Sequence, residues 1–64
     1  MNEYIVMKKL IDTLNKKYEN TRISEDAYAV TAETYKKRLG VFYANGRLSE
    51  EEYSELMGEL KSFE

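Results

Sequence analysis

Apolar side chains recur at helical spacing in three separate stretches of the chain. In the first, Tyr4, Met7, Ile11, Leu14 and Tyr18 follow at steps of three and four, and Val6 and Leu10 widen their stripe. Lys8, Lys9, Asp12, Lys16 and Glu19 fall mostly outside it. In the second, Tyr28, Ala32, Tyr35, Leu39 and Phe42 keep the same rhythm, with Val30, Val41 and Tyr43 near the edges. In the third, Tyr53, Leu56, Leu60 and Phe63 repeat it, with Met57 alongside. No stretch of more than a few residues alternates at period two, so strands are not expected.

Punctuation between the stripes agrees with this division. Ser24 and Ser49 are good N-caps, because a serine oxygen can accept from the free amides of a first helical turn. Ser49-Glu50-Glu51-Glu52 reads as a capping box, with Glu52 placed to reach back. Ser24 has Ala27 at that position instead, but Glu25 and Asp26 still favour the positive end of the helix dipole. Asn45-Gly46 is a helix stop, since both residues tolerate the left-handed conformation, and Asn20-Thr21 is a weaker one. Gly40 costs up to about 1 kcal/mol within a helix and marks a kink or a close helix contact. The spacing predicts helices over 3–19, 25–44 and 50–62. Short connections make neighbours antiparallel, so the expected fold is all-α: a small three-helix bundle, or two helical hairpins sharing the long middle helix. Sixty-four residues make one domain, with a thin core.

The two turns match at an offset of 25. Residues 18–28 and 43–53 share Tyr, Asn, Arg, Ser, Glu and Tyr at equivalent positions, and Ile23/Leu48 and Asp26/Glu51 are conservative pairs. Part of the match is what any two well-capped helix starts share, including an apolar residue before the cap that staples onto one after the first turn. Duplication of a hairpin and convergence on good capping both account for it. Either way the two turns should have similar geometry, each flanked by a pair of tyrosines. Asn45-Gly46-Arg47-Leu48-Ser49-Glu50-Glu51-Glu52-Tyr53, followed by Leu56 and Leu60, resembles the short helical hairpin of SHOCT domains. The stretch is also similar to very small phage and Gram-positive proteins of the XkdX-like type. The resemblance covers roughly residues 35–62, with a degenerate copy over 10–35 that lacks the glycine. SHOCT units normally end a larger protein, and the XkdX-like pattern has an early tryptophan absent here. Neither family carries catalytic residues. What the resemblance implies is an oligomerisation or interaction module, encoded by a phage or prophage and acting as a regulator or inhibitor of a host protein.

Composition narrows the chemistry further. The chain has no Cys, His, Pro or Trp. That removes thiol nucleophiles, disulfides, imidazole bases and the usual zinc sites. Carboxylates, Lys, Tyr, Ser and Thr remain, in a fold too small to enclose a typical ligand pocket. We therefore expect no enzyme, no cofactor, no metal site and no small-molecule substrate. The four-residue apolar run Tyr4–Met7 is too short for a secretory signal and no segment reaches membrane-span length, so the expected setting is the cytoplasm.

Charge is unevenly spread. Residues 1–48 carry nine basic and six acidic side chains, whereas residues 49–64 carry one basic and six acidic. Three candidate surfaces follow. Six tyrosines are more than a thin core needs, and tyrosine favours interfaces. A partner or homodimer surface is accordingly expected at Tyr35, Leu39, Phe42, Tyr43, Met57 and Leu60. A nucleic-acid accessory role would use Lys16, Lys17, Lys36, Lys37 and Arg38 with interleaved tyrosines, although a pI near 5.2 argues against it. An acidic docking face, imitating nucleic-acid phosphates, would use Glu51, Glu55 and Glu59. The competing reading of those three is a solvated helix with mild like-charge repulsion at i,i+4.

Overall fold

The computed structural model describes residues 2–63. Its elements are α1 (Glu3–Glu19), α2 (Glu25–Ala44) and α3 (Glu50–Glu59), in that order and without a strand among the described residues. All three pairs of helices touch, so the fold is a small all-α three-helix bundle.

Each helix begins on a side-chain oxygen. Ser24 Oγ accepts from the Ala27 amide at 3.1 Å. Ser49 and Glu52 complete the capping box, at 3.1 Å and 3.0 Å. Asn2 caps α1, its Oδ1 accepting from Tyr4 and Ile5. The two turns are built alike. In the first, the Thr21 amide donates to the Tyr18 carbonyl at 3.0 Å and Arg22 to Lys17 at 2.8 Å. In the second, Gly46 donates to Tyr43 at 3.1 Å and Arg47 to Phe42 at 2.8 Å. Both are Schellman closures, in which a left-handed residue after the cap folds the chain back on the last helical carbonyls. That residue is Gly46 at φ 73° in one turn and Thr21 at φ 55° in the other. The tyrosine pairs flank the turns as the repeat predicts: Tyr18 and Tyr28 have ring centroids 5.1 Å apart, and Tyr43 and Tyr53 stack at 4.7 Å.

The core is a single cluster of Met7, Ile11 and Leu14 from α1, Tyr28, Ala32 and Leu39 from α2, Leu48 from the second turn, and Leu56 and Leu60 from the last segment. Two of these bear on the expected partner surface. Leu39 is fully buried and Leu60 is 6% exposed, so neither presents a surface. Both lie on the inner stripe of their segments, where apolar spacing alone does not separate core from interface.

The last helix is shorter than its pattern predicts. α3 stops at Glu59 and Leu60 turns extended, with φ −83° and ψ 128°. Continuing the helix to residue 62, three residues further, would gain about one backbone bond per residue. The extended exit makes tertiary bonds instead. It lets the Lys61 amide donate to the Tyr28 hydroxyl at 2.8 Å, and it offers the Glu59 carbonyl to the Asn15 amide group at 2.9 Å. Phe63, which the stripe places on the helix, instead lies beyond it against both Tyr18 and Tyr28, at centroid distances of 5.1 Å and 5.3 Å.

Candidate functional site

Grooves run between α1 and α2, between α1 and α3, and between α2 and residues 61–63, and none of these is an enclosed cavity. The groove between α1 and α3 is polar, lined by Lys8, Asp12, Asn15, Lys16, Glu19 and Glu59. Charges are already matched there. Lys8 lies on the α1 flank that meets α3, where its ammonium hydrogen-bonds Glu59 and sits 3.6 Å from Glu55. The Tyr4 hydroxyl donates to Glu55 at 2.5 Å. The hydrogen bond to Glu59 holds the Lys8 pKa above its ordinary value, against the opposing effect of desolvation. The hydrogen bond to Glu55 likewise raises the Tyr4 pKa. Glu59 Oε1 is buried without a hydrogen-bond partner, so the pair works through one oxygen.

This seam changes the reading of the acidic helix. Glu55 and Glu59 are taken up by Lys8 and Tyr4, and Glu59 is half-buried. Of the three expected docking acids only Glu51 stands in solvent without such a contact. Their i,i+4 repulsion is offset by a cation from the neighbouring helix, a partner that the sequence of α3 does not disclose.

The expected basic set is also divided. Lys17 lines the α1–α2 groove, Lys16 the α1–α3 groove and Lys36 a groove between α2 and residues 61–63, while Lys37 lies 3.9 Å from Glu33 on the exposed side of α2. Lys16, Lys17, Lys36 and Lys37 are thus divided among different sides of the bundle, and the expected basic set does not form one phosphate-binding track. Of the expected partner surface, Tyr35, Phe42 and Met57 are half-buried and Tyr43 is exposed against Tyr53. Tyr43 lies in the last turn of α2, beside the start of α3, and Leu60 caps the far end of α3, so the six residues do not form one patch.

The α1–α2 groove is different in kind. Its volume is about 250 Å³, and its lining is Leu10, Thr13, Leu14 and Lys17 from α1, Ile23 from the turn, and Ala27, Thr31 and Tyr35 from α2. Leu14 is buried beneath it, and Leu10, Ile23, Thr31 and Tyr35 are half-buried in its walls. Thr13 and Thr31 are short, so they leave the apolar floor open where a longer side chain would cover it. The sequence reading names Tyr35 here but not Leu10, Ile23 or Thr31. The available signal was Leu10 at the widened edge of the first stripe, with uncharged Thr13 beside it on α1 and Thr31 across the groove on α2.

No family model matches the chain, and no curated protein and no solved structure matches it. The groove is therefore read from its own residues. Among the described residues, no three Asp or Glu side chains gather as a metal-binding group and no helix is long and apolar enough to cross a membrane.

Proposed function

We propose that the chain is a non-enzymatic protein–protein interaction module of the cytoplasm, regulating one larger protein through the α1–α2 groove. The observation that carries this reading is the apolar floor of Leu10, Leu14, Ile23 and Tyr35 lying open between two helices. An open groove of this shape suits an inserted helix better than a small ligand, which is usually buried on most sides. The SHOCT-like and XkdX-like character of residues 35–62 supports an interaction role, and a phage or prophage origin is part of the same proposal. Self-association of the chain is the other form the interaction could take.

The reading is tested by affinity purification from cells that make the protein. Thr31→Arg fills the groove from a half-exposed position, while Glu51→Arg alters the outer face of α3. The partner should be lost with Thr31→Arg and kept with Glu51→Arg, with both variants folded by circular dichroism. Loss with Glu51→Arg alone would move the site to α3 and contradict the proposal.

A further inference from the structure

Among the described residues the ion pairs join Lys8 to Glu55 and Glu59, Arg47 to Glu3, Lys61 to Glu19, and Lys37 to Glu33. Lys16, Arg22 and Lys36 are in none of them, and neither are Lys9, Lys17 and Arg38, which are all exposed. These last three border one feature. Lys17 lines the α1–α2 groove. Lys9 sits one turn before Thr13 on α1, and Arg38 continues the α2 strip of Ala27, Thr31 and Tyr35 by one more turn. No acid stands on either wall. The nearest along the α1 strip, Glu3, lies about two turns before Leu10 and is held by Arg47 at 3.4 Å.

Resting on the groove as the binding site, we propose that its partner is an acidic amphipathic helix. Apolar residues at i, i+4 and i+7 would enter between Leu10, Ile23 and Tyr35, with Asp or Glu flanking them against Lys17, Arg38 and Lys9. The α2 wall from Ala27 to Arg38 is about 16 Å long, which matches about three helical turns. The acidic α3 of a second copy does not supply such a helix. It buries Leu56 and Leu60 in its own core and shows Glu51, Ser54, Glu55 and Gly58 outward, with no apolar anchor among them. The acids thus select a foreign helix, while the cations add rate and orientation more than raw affinity.

The experiment is selection of binders from a displayed library of random 16-residue peptides against the full chain. Each binder is then mapped by amide chemical shifts on the labelled protein. The expected result is peptides that move the Leu10, Thr13, Ile23 and Thr31 amides, carry apolar residues at helical spacing and are enriched in Asp and Glu. Their affinity should fall at least tenfold with Lys17→Glu/Arg38→Glu, a pair of exposed substitutions that leaves the core untouched. Groove binders without acid enrichment, or unaffected by the charge reversal, would overturn the acidic partner and leave the groove standing. Binders that never shift the groove amides would overturn both. A sixteen-nucleotide oligothymidylate that binds through the same cations more tightly than any selected peptide would overturn the proposal in favour of single-stranded nucleic acid.

Discussion

Two residues do work that their chemistry alone would not assign to them. Thr21 occupies the left-handed position that Gly46 fills in the sister turn, although a β-branched side chain is strained there. Both turns nevertheless close with the same hydrogen bonds. Thr21→Gly should therefore stabilise the protein by about 0.5–1 kcal/mol in urea denaturation, after allowing for the greater freedom of glycine in the unfolded chain. Gly46→Ala should cost about 1 kcal/mol, through backbone strain and not through a clash, since nothing lies within 4 Å of the added methyl. Tyr28 is the second case. Its ring is fully buried, and its hydroxyl donates to Asn15 at 2.5 Å while accepting from the Lys61 amide at 2.8 Å. Tyr28→Phe should cost about 1–3 kcal/mol, because Asn15 and Lys61 lose a partner in a partly buried site. Amide exchange at Lys61 should quicken with it. Spacing along the chain shows Tyr28 as a core position but cannot reveal that Asn15, thirteen residues earlier, accepts its hydrogen bond.

Helix positions and types were legible because caps, stripes and stops agree with one another at each boundary. Ser24, Ser49 and Asn45-Gly46 fall where the helices start and stop. The end of α3 was not legible, since Leu60 and Phe63 keep the helical rhythm while tertiary contacts to Tyr28, Asn15 and Tyr18 draw residues 60–63 out of it. The α1–α3 seam was hidden for the same reason. Lys8 and Glu59 are far apart in the chain, and each looks like a solvated charge within its own helix. Their pairing has a consequence for pH. The pKa values of Tyr4 and Lys8 are both raised in the folded protein, from ordinary values of 10.0 and 10.5. Each contribution is complete below the ordinary value and is lost as pH rises through the raised one. Wild type should then lose its advantage over Tyr4→Phe/Lys8→Met in denaturation midpoints measured between about pH 9 and 12, and keep it unchanged near neutrality. A constant difference across that range would remove the seam as the source of alkaline sensitivity.

At the scale of the whole molecule, the bundle divides its labour between faces. The Cα radius of gyration is 11.7 Å, and α3 lies across α1 and α2 as an internal clasp, its acids engaged by Lys8 and its end pinned by Asn15 and Tyr28. The opposite side keeps an apolar groove and unpaired cations. The charge imbalance between residues 1–48 and 49–64 was visible in the sequence, but not its meaning. Folding brings Glu55 and Glu59 of the second stretch against Lys8 of the first, and leaves Lys9, Lys17 and Arg38 exposed beside the α1–α2 groove. The partner surface we propose is on the α1–α2 side, where Tyr35, Leu10 and Ile23 line the groove, and not on the α2–α3 side that Leu39 and Leu60 help to close. The measurement that tests this division most directly is site-specific photocrosslinking in cells, with the reactive residue placed at Thr31 in the groove or at Ser54 on the outer face of α3. Our account predicts a discrete adduct with another protein from Thr31 and none from Ser54. Adducts from Ser54 alone, or a Thr31 adduct of twice the chain's own mass and nothing else, would contradict it.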